Sequence, residues 1–430
     1  MGIPGLLPQL KRIQKQVSLK KYMYQTLAID GYAWLHRASC ACAFELVMNK
    51  PTNKYLQFFI KRLQLLKRLK IKPYIVFDGD SLFVKNHTET RRRKKRLENE
   101  MIAKKLWSAG NRYNAMEYFQ KSVDITPEMA KCIIDYCKLH SIPYIVAPFE
   151  ADPQMVYLEK MGLIQGIISE DSDLLVFGCK TLITKLNDQG KALEISKDDF
   201  SALPENFPLG ELSEQQFRNL VCLAGCDYTS GIWKVGVVTA MKIVKRYSEM
   251  KDILIQIERT EKLCFSKAFK QQVEFANYAF QYQRVFCPLS NQITTLNNIP
   301  KAVTNSHAEI IKIMKCIGSV VERGSGVRKD VINTKNIDHK VHEMIAKGEL
   351  HPVDMASKLI NRERKLKARK LFKVGLLGGE SNSFNKKVEQ PLVDTQDALS
   401  ERENSLDNKN ASSIYMTSPA AISGTVPSIF

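Results

Sequence analysis

The chain has 430 residues, enough for two or three domains and a full hydrophobic core. Its 64 Lys and Arg against 45 Asp and Glu leave a formal charge of +19, which points to a polyanionic partner, nucleic acid first. No apolar run reaches the roughly 18 residues of a membrane span, so no membrane association is expected.

The amino terminus, Met1-Gly-Ile-Pro-Gly-Leu-Leu-Pro8, is a tight apolar segment without a signal-peptide core, and Lys11 to Lys21 is basic without a clear transit pattern. Tyr24 to Asp30 is an apolar run of strand length that ends in Asp30. Gly31-Tyr-Ala-Trp-Leu-His36 then opens a helix, with Tyr32 and His36 one turn apart. Spacing alone favours helix packing for both, with stacking on nucleic-acid bases as the alternative. Tyr55 to Leu69 repeats apolar residues three and four apart and predicts a helix. Pro73 to Asp78 is a second strand-length run, ending in Asp78.

Lys85 and the run Thr90-Arg-Arg-Arg-Lys-Lys-Arg96 follow, so residues 85 to about 135 read as a helical insertion beside the strand ends. Thr126-Pro-Glu-Met-Ala starts a helix with Pro at its first position. A third run, Ile142 to Asp152, carries Glu150 and Asp152 at its end. The fourth, Gly166 to Ile168, is followed at once by Glu170, Asp171 and Asp173 before Leu174 to Phe177 turns apolar again. Read alone, that last cluster is either a solvated acidic turn or a site for a hard cation. Strands alternating with helices predict an α/β fold, a mostly parallel sheet covered on both faces. Ligands of such sheets bind beyond the carboxyl ends of the strands, where all four acidic groups converge. Phosphates could then be held between metal ions on one side and the basic insertion on the other.

Glu214 to Gly225 is helical, and Gly225-Cys-Asp-Tyr-Thr-Ser-Gly-Ile-Trp-Lys-Val-Gly236 leads into a basic helix to Tyr247. Backbone NH groups of such a double turn can bind a duplex phosphate, with Lys242, Lys245 and Arg246 nearby. Asp227 is a fifth acidic position, with no local sign that it reaches the rim. The ten cysteines show no zinc spacing and read as reduced, mostly buried thiols of an intracellular protein, Cys222 and Cys226 included. Ala268 to Phe286 predicts one more aromatic helix; beyond about residue 300 the apolar pattern thins, 361–370 is basic, and the tail from Gly375 reads as disordered.

The start Met1 to Pro8, Ala28-Ile-Asp-Gly-Tyr-Ala-Trp-Leu-His36, Val76-Phe-Asp-Gly79, Pro148-Phe-Glu-Ala-Asp152, Ser169-Glu-Asp-Ser-Asp173 and Gly225-Cys-Asp-Tyr228 together resemble the flap endonuclease superfamily. The resemblance covers about residues 1 to 300 and is closest to the exonuclease-one branch, in particular to a short, DNA-damage-inducible fungal group acting in mitochondria. It implies a nuclease core in 1–84 and 136–220, a helical arch in 85–135 and a helix–two-turn–helix duplex-binding region in 221–300. A basic, partly helical extension (301–374) and the tail (375–430) would follow. The implied activity is metal-dependent 5′→3′ exonuclease action on double-stranded DNA, with cutting at 5′ flaps, in DNA repair and recombination. Expected substrates carry nicks, gaps, recessed 5′ ends or 5′ flaps, and the protein is expected to be a monomer.

The resemblance makes Asp30, Asp78, Glu150 and Asp152 ligands around one metal, with Asp171, Asp173 and Asp227 serving a second and Asp152 between them. Lys85 and Arg92 would steer the scissile phosphate, and His36 would stack where the strand bends, against the local preference for packing. Backbone carbonyls at Ala224, Gly231 and Val235 match a potassium site, although Lys234 stands where many relatives have glycine. Two Mg²⁺ ions per site are expected from the oxygen-only donors, with Mn²⁺ as a substitute. The tail has no sliding-clamp box, and the expected compartment is the mitochondrion, with the nucleus as the alternative.

Overall fold

Short runs rich in Ile and Val, each too brief for a helix, form the centre of one seven-stranded sheet. Its strands are β1 (Lys15–Ser18), β2 (Thr26–Asp30), β3 (Lys72–Phe77), β4 (Tyr144–Val146), β5 (Gly166–Ile168), β6 (Thr181–Thr184) and β7 (Lys191–Ser196). The spatial order is β1-β7-β6-β5-β2-β3-β4. Strands β6, β5, β2, β3 and β4 run parallel, and β7 and β1 close one edge antiparallel. The computed structural model describes residues 2–260, 264–301 and 306–368. The chain divides into two units, Met1–Val374 and Gly375–Phe430; the second, where the sequence predicts a disordered tail, lies outside the described residues.

Period-two alternation splits the strand side chains between two cores. Ala28, Val76, Ile145, Ile167 and Leu182 face one, under the helices Ala151–Lys160, Glu214–Ala224 and Phe269–Tyr282. Leu27, Ile29, Ile75, Phe77, Val146, Ile168 and Ile183 face the other, under Gly31–Ser39, Lys54–Arg68 and Pro127–Leu139. In Lys54–Arg68 the buried Tyr55, Phe59, Leu63 and Leu66 make the stripe that its sequence spacing predicts. The parallel register sets Ile29 beside both Ile75 and Ile168, so Asp30, Asp78 and the β5–helix turn emerge on one rim.

Over that rim stands the helix Asn86–Ser108, 23 residues long, of which only Thr88, Asn99 and Ala103 are buried. It turns at Gly110 and returns through Arg112–Ser122. The far end is anchored by a three-ring cluster, Phe44–Trp107 at 4.2 Å, Phe44–Phe119 at 5.4 Å and Trp107–Phe119 at 5.9 Å. The arch is therefore tied at both ends. Helix Pro127–Leu139 starts at Pro127, as its sequence predicts, and belongs to the second core.

Two stretches differ from expectation. The aromatic helix stops at Tyr282, and β8 (Arg284–Cys287) pairs with β9 (Gln292–Thr295). Gln283 leaves the helix because its carboxamide bonds the backbone and side chain of Glu150. Residues 306–365 also wrap back onto the core. Helix His307–Ile317 and the pair β10 (Val320–Val321) and β11 (Arg328–Lys329) are followed by helix His339–Ala346, which buries Ile345 and Ala346.

Candidate active site

At the carboxyl rim of β2, β3 and β4 lies a cleft of about 600 Å³. Asp30, Asp78, Glu150, Asp152, Asp171 and Asp227 line it, with Lys85 and Arg92 from the foot of the arch and Tyr32 and His36 on the opposite wall. Five separate parts of the sequence thus meet in one place. Asp173 does not line the cleft; it is buried beneath it, its amide donating to Asp171 Oδ1 at 2.9 Å. Glu170 turns away and accepts from the Lys185 amide at 2.8 Å.

Each carboxylate is held by its local backbone. Asp30 caps helix Gly31–Ser39 through Ala33 N at 2.8 Å, and its other oxygen accepts from Ser169 Oγ at 2.9 Å. Asp78 Oδ1 accepts from Ala151 N at 2.7 Å, which ties the end of β3 to the helix carrying Asp152. Glu150 Oε2 accepts from the Tyr228 hydroxyl and from Gln283 Nε2. Asp227 comes from the double turn after helix Glu214–Ala224, and Thr88 of the arch donates to its carbonyl at 2.9 Å. The sequence had given no local sign that Asp227 reached the rim.

Lys85 bridges Glu150 and Asp227, both at 2.9 Å. Arg92 holds Asp227 at 2.8 Å and Glu89 at 3.1 Å. Burial alone would raise the Asp227 pKa, but Lys85 and Arg92 overcome it and hold the carboxyl below its usual range. Asp30 and Asp78 form no ion pair among the described residues. Burial, then repulsion among the group, pushes Asp30 up to about 6 and Asp78 up to about 7. Burial followed by Asp171 pushes Asp152 and Asp173 well above the carboxylate range. Asp173 Oδ1 is buried with no hydrogen-bond partner among the described residues.

This is the chemistry of a hard-cation site. Donors are all oxygen, burial and mutual repulsion oppose ionisation of the acids, and buried Asp173 Oδ1 has neither a hydrogen bond nor an ion pair among the described residues. Among the described residues no group of three His, Cys, Asp or Glu side chains is drawn together tightly enough to hold a metal ion unaided.

Two family signatures cover the halves of the rim: the XPG N-terminal domain over residues 1–99 and the XPG I-region over residues 141–227. The chain carries both signature regions of the XPG family. Its XPG regions carry Asp30 and Asp78 in the first and Glu150, Asp152, Asp171, Asp173 and Asp227 in the second. The chain is 54% identical over 395 residues to Exodeoxyribonuclease 1 of Saccharomyces cerevisiae, covering 92% of this chain and 56% of that protein. Against Exodeoxyribonuclease 1 of Schizosaccharomyces pombe it is 40% identical over 297 residues, 69% of this chain and 52% of that one. It thus spans about half the length of these relatives. Among solved structures it is similar to the catalytic core of Rad2 in complex with DNA substrate, at 21% identity and a TM-score of 0.46, covering 64% of this chain and 78% of that chain.

Sequence reasoning missed four parts of this site. Ser169 and Tyr228 stood inside motifs already singled out, yet hydroxyls carry no pattern of their own. Gln283 lies 133 residues from Glu150 and gave no signal. Gly2 packs so closely that a Cβ there would come within 2.4 Å of Ser172 Oγ and 2.5 Å of Asp171 Oδ1, at φ +84°. Ile3 N donates to the same Ser172 hydroxyl at 2.8 Å, so the Gly-Ile-Pro-Gly start buttresses the acidic turn.

Tyr32 packs edge-on against Phe77 at 6.4 Å and lines the cleft wall together with the exposed His36. Lys242, Lys245 and Arg246 lie outside the cleft, exposed on and just past helix Val237–Val244, and Lys245 pairs with Glu211 at 3.4 Å. The double turn itself is formed. Ile232 N donates to Leu223 O at 2.9 Å, and a Cβ at Gly231 (φ +69°) would come within 2.7 Å of Gly225 N. Lys234 takes φ +64°, so lysine here adopts the left-handed conformation that glycine enters freely.

Proposed function

We propose that the chain is a Mg²⁺-dependent, structure-specific DNA nuclease that removes nucleotides 5′→3′ from double-stranded DNA and cuts 5′ flaps, acting in DNA repair and recombination. The observation that carries this reading is the cleft in which Asp30, Asp78, Glu150, Asp152 and Asp171 gather beyond the strand ends with Asp227 of the double turn, and Lys85 and Arg92 of the arch foot reach in to pair with Glu150 and Asp227. Asp30, Asp78, Glu150 and Asp152 would hold one divalent ion and Asp171, Asp173 and Asp227 a second, with Mn²⁺ as a substitute. When bound, such ions activate a water and stabilise the leaving oxygen of an in-line displacement.

The chain's own residues prepare the rest. Lys85 and Arg92 are poised to exchange Asp227 and Glu150 for the scissile phosphate, so a cation is at hand wherever charge develops. Tyr228 and Gln283 fix one oxygen of Glu150, leaving the other toward the cleft. His36 is placed to support an unpaired base at the bend of the strand.

Duplex DNA is gripped at the double turn, where Lys242, Lys245 and Arg246 supply charge and the carbonyls of Ala224, Gly231 and Val235 hold a potassium ion. The left-handed backbone at Lys234 supports that reading, since it gives lysine the conformation open to glycine. Nicks, gaps, recessed 5′ ends and 5′ flaps are the substrates, met by a monomer without a sliding-clamp box. We assign the protein to the mitochondrion because of its resemblance to the short fungal group; fractionation of a tagged chain tests this against the nucleus. The activity is tested by incubating nicked and flapped DNA and an RNA duplex with the purified chain, with and without Mg²⁺. Cleavage of the DNA substrates only with Mg²⁺ is expected, and cleavage confined to the RNA duplex would overturn the assignment.

A further inference from the structure

On the other side of the arch foot lies a second chamber of about 450 Å³, which shares Asp80, Ser81 and Phe149 with the active-site cleft. Phe83 and Asn86 wall it from the arch, and Lys315, Gly318 and Arg328 from the segment that wraps back after residue 306. Phe83 is 61% exposed. Lys315 is exposed and has no carboxylate within ion-pair distance among the described residues, while Arg328 is held by Asp80. Asp330, the other acid of the wall, accepts from Ser319 Oγ at 2.5 Å.

The hydrogen-bond inventory points the same way. Six buried side-chain polar atoms lack a hydrogen-bond partner among the described residues, and three of them belong to this wall and the layer behind it: Arg328 Nε, Arg284 Nη1 and His342 Nδ1. Arg284 is fully buried and donates through Nε to the carbonyl of Gly318 at 3.2 Å. His342 Nε2 accepts from the Val321 amide at 3.1 Å, and Val321 pairs with Arg328. With Nε2 accepting, a neutral ring carries its proton on Nδ1, so all three orphans are donors. Burial, then Arg284, His339 and Arg328, drives the His342 pKa down to about 3, so the ring is neutral and its surroundings are positive. Unused donors and a free lysine, beside two acids already engaged by Arg328 and Ser319, call for an anion.

We propose that this chamber is an exit subsite for a phosphate of the strand segment that has passed the cut: the terminal 5′-phosphate of a recessed end, or a diester within a 5′ flap. Lys315 and Arg328 take the phosphate, and the exposed Phe83 ring offers a stacking face for the attached base. Arg284 and His342 stand behind as fixed donors that hold the wall in place. The shared Asp80–Ser81 segment gives a strand leaving the cleft a short path round the arch foot. This inference rests on the nuclease reading for the source of the phosphate, and its test reads binding alone.

The full chain is titrated, with Ca²⁺ in place of Mg²⁺, against fluorescent nicked duplexes ending in a 5′-phosphate or a 5′-hydroxyl, and against a duplex with a short 5′-hydroxyl flap. The phosphorylated nick and the flap should bind about fivefold more tightly than the 5′-hydroxyl nick. Lys315→Glu should erase that preference and leave the 5′-hydroxyl nick unchanged. Lys329→Glu, next to Arg328 on β11 but already paired with Glu322 and off the chamber wall, should retain it. Equal binding of all three substrates by the wild-type chain would overturn the proposal. So would Lys315→Glu weakening every substrate alike, which marks general charge attraction. Hydrolysis in a parallel Mg²⁺ reaction reports on the nuclease reading separately.

Discussion

Lys85 carries two acids, and its removal should be felt in rate before it is felt in affinity. Duplex binding as proposed would draw on many other cations, whereas in this cleft Lys85 pairs with Glu150 and Asp227 at 2.9 Å and Arg92 with Asp227 at 2.8 Å. Lys85→Ala and Arg92→Ala should each lower the single-turnover rate at saturating DNA by about 100-fold or more, with affinity changed only a few-fold. Wild-type single-turnover rates would remove both from the chemistry. Asp173 has the opposite character: buried, repelled by Asp171 and with an orphaned oxygen, it destabilises the metal-free fold. Asp173→Asn should abolish cleavage yet raise the melting midpoint measured in chelator.

The pH dependence has a fixed sign. An acid whose folded pKa is raised contributes stability that is complete below its unfolded pKa and is lost as pH rises through the folded value. For Asp30 and Asp78, with folded values of about 6 and 7, that loss falls between about pH 4 and pH 7. Mg²⁺ should therefore raise the melting midpoint more at pH 8 than at pH 5, and an equal rise at both would contradict the crowded-acid account.

At the scale of elements, the double turn and the C-terminal strap make separate predictions. Lys234 in the left-handed region costs about 1–2 kcal/mol, which glycine avoids at an entropic cost of about 0.5–1 kcal/mol. Lys234→Gly should thus be neutral or slightly stabilising in denaturant titrations, whereas the β-branched Lys234→Val should destabilise by about 1 kcal/mol or more. The strap is residues 361–365. Asn361 accepts from Cys132 Sγ at 3.1 Å, Glu363 accepts from Tyr55 Oη at 3.2 Å and from Thr52 N at 3.1 Å, and Lys365 pairs with Glu128 at 2.9 Å. These bonds clasp helices Lys54–Arg68 and Pro127–Leu139 together. A chain ending at residue 374 should keep its melting midpoint and activity, and one ending at residue 360 should melt several degrees lower. Equal midpoints for the two truncations would show that the clasp adds nothing.

The same elements mark where sequence reading works. β2, β3, β4 and β5 are legible because each is a short apolar run with carboxylates at or just past its end, two signals that reinforce one another. β1, Lys-Gln-Val-Ser, is exposed or half-exposed throughout and carries neither signal. The strap and the β10–β11 pair owe their positions to partners more than 100 residues away or to two-residue pairings, which leave no periodicity. In the site, charged residues announced themselves and their neutral supports, Ser169, Tyr228 and Gln283, did not.

For the molecule as a whole, the proposed function has the charge of +19 favour DNA and the double turn grip intact duplex, while the arch stands over the acidic rim. Binding to duplex should accordingly weaken steeply with salt. Under the proposed function the site has a polarity: a 5′-ended strand would fray, pass beneath the arch and present its phosphate with the leaving oxygen correctly placed. A 3′ end entering the same cleft runs in reverse. The direct measurement labels the two ends of the nicked strand separately, adds the full chain with Mg²⁺ and resolves the products on a sequencing gel. Release of 5′-phosphorylated mononucleotides from the 5′ end, together with cuts at flap bases, is the expected result; release from the 3′ end at an equal or greater rate would contradict it.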